Sequence, residues 1–213
     1  MHILFIYRDK NFYKHNFKNI FEKNLCKMDF GFLLLSLKTI ANVELKSLPE
    51  FISSKLNITK DEAKKIQKNY FVEYNTTLNG MIKNHKIDAN EFLEYVHDID
   101  LSFLKEDKQL DDQISKIKGK KIIFTNGSRA HANNVTRKLG IERHFDDIFD
   151  IVSADFIPKP SAVTYKKLIE KYKIEPQYCI FIEDIARNLK PAFELGMKTV
   201  WIKNNEPWAA EFS

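Results

Sequence analysis

Short apolar runs recur through the second half of the chain, and a helical pattern separates each run from the next. The runs are rich in Ile, Val and Phe. β-Branched and aromatic residues in runs this short are typical of strands that are buried on both faces of a sheet. The pattern therefore predicts four parallel strands, at residues 121–124, 147–152, 179–182 and 198–202.

The segments between these runs predict helices with clear ends. The first helix, at 129–139, stops at Gly140, a second begins after Ser161, and a third, at 185–195, stops at Gly196. Strand and helix repeated in this order predict an α/β fold with a doubly wound, Rossmann-like parallel sheet. Such sheets bind ligands at the carboxyl ends of their strands.

One earlier block follows helical periodicity throughout. Thr59 with Glu62, and Asp88 with Glu91, have the spacing of capping boxes that open helices, and a last helix ends at Gly119. An all-helical block placed before the strand repeat predicts a lid that closes over the sheet. The predicted domains are a helical cap at 48–118 and an α/β core at 1–47 and 119–213.

Composition narrows the class of protein. The formal charge is +5 and the isoelectric point is near 9.0, yet 34 basic residues are scattered among 29 acidic ones, so we expect no nucleic acid polymer as partner. The two cysteines, Cys26 and Cys179, are too few for a disulfide framework or a zinc site. The apolar run 3–7 is too short for a membrane span. We expect a cytoplasmic monomer or homodimer without membrane contact.

Three polar clusters follow apolar runs directly. They contain Thr125 in T-N-G-S, Lys159 between two prolines, and the neighbouring acids Glu183 and Asp184. Together they supply a hydroxyl, an ammonium and two carboxylates at the predicted ligand-binding edge. Those groups are suited to a phosphate and a metal ion. Each also has an ordinary explanation, since Thr125 could simply precede a glycine turn and Asp184 could be a helix N-cap.

These clusters resemble the motifs of a known family. The sequences F-T-N-G-S-R-A-H-A, P-K-P and F-I-E-D-I-A-R-N-L, with Y-F-V-E-Y-N-T-T-L-N-G-M and E-Y-V-H-D-I-D-L before them, resemble the haloacid dehalogenase-like hydrolases. Within that family they are similar to the pyrimidine 5'-nucleotidase-like phosphatases. The resemblance implies Mg²⁺-dependent hydrolysis of a small phosphomonoester, a pyrimidine nucleoside 5'-monophosphate, through an aspartyl-phosphate intermediate.

The resemblance also implies roles for single residues. Thr125 and the backbone N–H groups of Asn126 and Gly127 would hold the phosphate, and Lys159 would neutralise the nucleophile and the phosphoryl group. Arg129 and His131 match the family pattern and could reach the substrate, or lie exposed on a helix. Mg²⁺ would be held by Asp29, Glu183 and Asp184.

Further substrate contacts are implied in the cap. Tyr74, Thr76 and Thr77 match a Y-G-T-T loop in which Asn75 replaces glycine, and asparagine tolerates a positive φ comparatively well. His97 could contact the substrate or could lie at a solvated helix end.

The first family motif, D-x-D-x-T, is not intact in this chain. One register puts Asp29 at the nucleophile position, with Gly31 and Leu33 where the second Asp and the Thr belong. A rival register uses the apolar strand at the start of the chain and puts Tyr7 at the nucleophile position and Asp9 at the acid position. The alternative function is therefore a catalytically impaired relative that binds a nucleotide or phosphometabolite without turnover.

Overall fold

The computed structural model describes residues 4–7, 47–117 and 119–202, and these residues form an α/β fold. One five-stranded sheet has the order β3-β2-β1-β4-β5. Its strands are β1 (Leu4–Tyr7), β2 (Lys120–Phe124), β3 (Asp147–Phe149), β4 (Cys179–Glu183) and β5 (Lys198–Trp201).

Four of the strands share one direction, as predicted. β2 is parallel to β3, β4 is parallel to β5, and both β2 and β4 are antiparallel to β1 between them. The central strand therefore makes this a mixed sheet, whereas the sequence predicted a parallel one. An apolar run such as 3–7 in the sequence indicates a strand, but it does not encode the direction in which the strand enters the sheet.

The direction of β1 contradicts the alternative register of the first motif, which placed the nucleophile at Tyr7. Tyr7, its last residue, pairs with Lys120 and Cys179, which begin β2 and β4. The carboxyl end of β1 thus lies at the sheet edge opposite Thr125, so Tyr7 is wrong as the nucleophile position. Asp9, Asp29, Gly31 and Leu33 lie outside the described residues.

Three helices cover the sheet, and they begin and end close to where the sequence predicted. A core cluster that includes Phe124, Tyr165 and Phe181 lies beneath the second and third of these helices, while Ala132 of the first packs with Ile123 and Ile148 in a separate cluster. The first and third of these helices end near Gly140 and Gly196, whose φ values of 74° and 94° suit glycine. They are α6 (Arg129–Lys138), α7 (Ala162–Tyr172) and α8 (Ala186–Glu194).

The helical block forms a core of its own. Phe51, Met81 and Phe92 are buried among its helices, and the predicted capping box of Thr59 with Glu62 is present. Ile151 from the loop after β3 packs into the same cluster, which explains why β3 is shorter than the apolar run. The helices are α1 (Ser47–Leu56), α2 (Lys60–Glu73), α3 (Thr77–His85) and α4 (Ala89–His97).

The fifth helix of the block, α5 (Lys108–Lys116), packs elsewhere. Its Leu110 and Ile114 share a cluster with Val135 of α6 and with Leu139, the C-cap of that helix. The chain after α4 thus returns to the sheet before β2 begins. No helix in the described part of the chain is both long enough and apolar enough to cross a membrane.

Candidate active site

The loop after β2 is held by hydrogen bonds at the carboxyl edge of the sheet. The Thr125 N–H donates to the carbonyl of Phe149 (3.0 Å), and the Gly127 N–H donates to Thr125 Oγ1 (2.9 Å). Ser128 caps α6 by accepting the His131 N–H (3.3 Å). The loop therefore lies at the N-terminus of a helix, where backbone dipoles favour an anion.

The side chain of Asn126 fastens this loop to the P-K-P segment. Its Oδ1 accepts the backbone N–H of Lys159 (2.9 Å), and its Nδ2 donates to the Lys159 carbonyl (3.2 Å). Because both bonds join the same two residues, the loop and Lys159 are fixed relative to each other. In this structure Asn126 thus positions Lys159, and the Gly127 N–H is used within the loop.

The Lys159 ammonium lies inside the protein, with 1% of the residue exposed. Nζ donates to the Phe124 carbonyl (2.7 Å) and to Glu183 Oε2 (3.2 Å), and it lies 4.5 Å from the centroid of the Phe124 ring. Burial lowers the pKa of Lys159, and the Glu183 carboxylate opposes that shift. The ammonium joins the carboxyl ends of β2 and β4.

Two neighbouring acids complete the cluster. Glu183 is fully buried, and its Oε1 accepts the Ile185 N–H (3.2 Å). Asp184 is 6% exposed, and both of its carboxylate oxygens are buried without a hydrogen-bond partner among the described residues. Burial raises the pKa of Glu183 and that of Asp184 above their usual values, and the Lys159 ammonium opposes both shifts.

Buried carboxylate oxygens without donors are costly unless a cation or a proton compensates their charge. The carboxylate of Asp184 therefore fits a hard divalent cation such as Mg²⁺, which prefers oxygen ligands, and Glu183 precedes it in the chain. Within 4–7, 47–117 and 119–202 no group of three metal-binding side chains occurs, and Asp29 lies outside those ranges.

His97, at the end of α4, reaches the loop after β2. Its Nδ1 shares a hydrogen bond with Ser128 Oγ (2.9 Å), and its ring stacks on His131, with centroids 4.4 Å apart and planes at 12°. It is therefore not a solvated helix end. Burial lowers the pKa of His97 to about 4 and that of His131 to about 2.

Arg129 is not brought into the cluster. Its guanidinium forms an ion pair with Asp147 (2.8 Å) and donates to the carbonyl of Ile148. It thus faces β3 rather than Lys159. Its backbone N–H donates to Asp150 (3.0 Å), which helps to fix the start of α6.

Tyr74, Thr76 and Thr77, which were predicted to bind substrate, interact with other residues of the helical block. The Thr76 hydroxyl caps α3, the Thr77 hydroxyl donates to the carbonyl of Gln67 (3.3 Å), and the Tyr74 ring has the Lys83 ammonium 5.0 Å from its centroid. Asn75 has a φ of 65°, so the conformation expected from its glycine-like position is confirmed.

Arg187 joins this cap loop to the core, and the sequence analysis missed it. Its guanidinium donates to the carbonyls of Phe71 (3.3 Å) and Asn75 (3.4 Å) and lies 4.4 Å from the centroid of the Phe71 ring. The only sequence signal was its position in α8, three residues after Asp184. Asn188, one helical turn after Asp184 and 2% exposed, was also missed.

Comparison with known proteins finds a family match over most of the chain. Residues 48–196, more than half of the chain, match the model of the haloacid dehalogenase-like hydrolases. Phosphate metabolism protein 8 of Saccharomyces cerevisiae is 31% identical over 174 residues, which are 71% of this chain and 52% of the yeast protein. Bifunctional epoxide hydrolase 2 of Mus musculus is 33% identical over 64 residues, which are 30% of this chain and 11% of that protein.

Two solved structures are more distantly similar. The HAD-hydrolase YfnB of Bacillus subtilis, bound to magnesium, has a TM-score of 0.45 and 18% identity, covering 84% of this chain and 85% of that one. A HAD family enzyme of Bacteroides thetaiotaomicron, in complex with magnesium and inorganic phosphate, has a TM-score of 0.43 and 21% identity, covering 87% and 92%. The chain spans about half the length of the yeast relative. On the family match over most of its described residues, the chain belongs to the haloacid dehalogenase-like hydrolases.

Proposed function

We propose that the chain is a Mg²⁺-dependent phosphatase that hydrolyses a small phosphomonoester through an aspartyl-phosphate intermediate. The observation that carries the proposal is the buried Lys159 ammonium, which lies between the Thr125 loop and the carboxylates of Glu183 and Asp184. A cation and an acid pair at the N-terminus of a helix provide what a phosphoryl group requires. The proposed setting is the cytoplasm, as a monomer or homodimer.

Each residue of the cluster has a separate proposed role. Thr125 and the first turn of α6 would bind the phosphate, while Lys159 would offset the repulsion between an attacking carboxylate and the phosphate dianion. Glu183 and Asp184, with Asp29, would hold Mg²⁺. When bound, the ion would supply further positive charge against the transferring phosphoryl group.

Asp29 is the proposed nucleophile, on the register of the first motif. The proposed substrate is a pyrimidine nucleoside 5'-monophosphate, and this choice rests on the similarity of Tyr74, Thr76 and Thr77 to the family's cap loop. The name of the yeast relative places that protein in phosphate metabolism, which supports a phosphorylated substrate here.

The test is release of inorganic phosphate from a panel of compounds, with Mg²⁺ or with a chelator. We expect release only with Mg²⁺, and faster from cytidine or uridine 5'-monophosphate than from adenosine 5'-monophosphate or glucose 6-phosphate. Lys159→Met should abolish release, while Lys167→Met, in a surface ion pair with Asp155, should not. Faster phosphate release from purine nucleotides than from pyrimidine nucleotides would contradict the proposed substrate. Phosphate release that persists in Lys159→Met would contradict the proposed active site.

A second candidate function is binding without turnover. It is favoured by Gly31 and Leu33, which replace the acid and the hydroxyl of the first motif. Loss of a general acid costs about 10²–10⁴-fold in rate. Turnover should therefore rise when Gly31→Asp is combined with Leu33→Thr, and Asp29→Asn should abolish the gain. High activity in the original chain that survives Asp29→Asn would show that the nucleophile lies elsewhere.

A further inference from the structure

His97 brings a polar atom of the cap to the loop proposed to bind phosphate. A Cβ added to Gly127 would lie 3.4 Å from His97 Nε2 and 3.3 Å from Thr125 Oγ1, so both atoms border the same point beside the loop. Thr125 comes from the end of β2, whereas His97 comes from the end of α4. The cap therefore contributes to the space in which the loop would hold an anion.

The neighbours of His97 indicate which nitrogen carries the proton. Ser128 Oγ accepts the His131 N–H at the start of α6 and lies 2.9 Å from His97 Nδ1. With Ser128 as the donor in this bond, Nδ1 is the acceptor. Burial lowers the pKa of His97 to about 4, so the ring is neutral near pH 7. A neutral ring that accepts at Nδ1 carries its proton at Nε2, the atom beside Gly127.

The stacked ring of His131 holds this orientation. The planes of the two imidazoles are nearly parallel, at 12°, and their centroids are 4.4 Å apart. Stacking on one face and the Ser128 bond at one edge leave little freedom to rotate Nε2 away from the loop. The orientation is therefore fixed by the fold before any ligand arrives.

We propose that His97 is a substrate-binding residue, whose Nε2–H donates a hydrogen bond to an oxygen of the phosphoryl group held by the Thr125 loop. The inference rests on the proposed function and extends it, because it assigns to the cap a contact with the phosphate itself. Any phosphomonoester would receive this contact, whatever its leaving group.

The experiment measures binding of inorganic phosphate by isothermal titration, with Mg²⁺ present, and so does not need turnover. His97→Phe keeps a flat ring to stack on His131 but has no donor, and we expect its phosphate affinity to fall about tenfold, as for loss of one hydrogen bond to a charged group. His97→Gln keeps an N–H donor and should recover part of the affinity. His144→Phe, which removes a histidine bonded to Asp111 away from the loop, should bind as the original chain does.

The outcomes separate the two proposals. Weaker phosphate binding in His97→Phe, recovered in part by His97→Gln, supports the contact even if no phosphomonoester is hydrolysed, in which case the proposed activity alone fails. Equal phosphate affinity in the original chain and His97→Phe overturns the contact while leaving the activity intact. Absence of phosphate binding in the original chain overturns the contact as well. Circular dichroism and thermal unfolding of each variant show that it is folded.

Discussion

At the scale of single residues, the Lys159–Glu183 pair is both a catalytic candidate and a stability risk. The two side chains are 1% and 0% exposed, so water does not solvate either charge. Lys159→Met would leave a buried carboxylate without its cation, and we expect the free energy of unfolding to fall by about 3–5 kcal/mol. Urea unfolding followed by circular dichroism measures this.

The matched control for that prediction is the double variant Lys159→Met with Glu183→Gln. It removes both charges together, and we expect it to recover most of the lost stability, because a neutral pair has no unpaired ion to bury. Lys167→Met should change the free energy of unfolding by less than about 1 kcal/mol, since its ion pair with Asp155 lies at the surface. Equal losses in the single and double variants would contradict the argument.

The stacked histidines predict how stability depends on pH. The folded pKa values, about 4 for His97 and about 2 for His131, lie below the usual 6.5. As the pH falls from about 6.5 to 4, these two histidines bind protons in the unfolded chain but stay neutral in the folded chain. The free energy of unfolding should therefore fall by about 1.4 kcal/mol per pH unit for each histidine.

Urea unfolding at several pH values in this window measures the dependence. His97→Phe should flatten the slope, because the unfolded variant has one proton fewer to bind. A slope that is unchanged in His97→Phe would mean that His97 is not held neutral by the fold.

At the scale of elements, the contact between α2 and α3 depends on one glycine. A Cβ on Gly80 would overlap the ring of Tyr70. Alanine is normally the better helix former by about 1 kcal/mol, but here we expect Gly80→Ala to destabilise the protein by about 1–3 kcal/mol. Thermal unfolding of Gly80→Ala, measured with Tyr70 present and with Tyr70→Ala, separates the helix-forming preference of alanine from the steric overlap with the Tyr70 ring. With Tyr70→Ala already present, the same substitution should become neutral or stabilising, and a loss of equal size in both backgrounds would contradict the steric cause.

The elements also show which parts of the fold the sequence could predict. The strands of the repeat and the capping box at Thr59 were predictable because their signals lie within a few residues of each other. The direction of β1 was not, because it depends on pairing with residues more than a hundred positions away. Contacts such as His97 with Ser128, or Arg187 with Asn75, likewise depend on how the cap returns to the sheet. The Thr125, Lys159 and Glu183 cluster could be predicted because strands that share one direction end at one edge.

At the scale of the whole molecule, Arg187 connects the helical block to α8, which packs on the sheet. Its bonds run from α8 to the carbonyl of Phe71, near the end of α2, and to the carbonyl of Asn75, in the loop before α3. We expect Arg187→Ala to cost about 1–2 kcal/mol and to increase hydrogen exchange at residues 71–77 more than in the sheet. Arg137→Ala, which removes an exposed pair with Glu142, should leave exchange in that loop unchanged. Uniform loss of protection throughout the molecule would show that Arg187 supports the core rather than the junction.

The bonds around Asn126 have a consequence for how long the protein lasts. An Asn-Gly sequence is chemically labile, since little hinders the glycine nitrogen from attacking the asparagine side chain and releasing ammonia. Here the Asn126 amide is held on both sides by the Lys159 backbone, and the Gly127 N–H points to Thr125 Oγ1. The Gly127 nitrogen and the Asn126 side-chain amide are thus both engaged in hydrogen bonds that do not bring them together. The same contacts that shape the site protect it from slow chemical ageing.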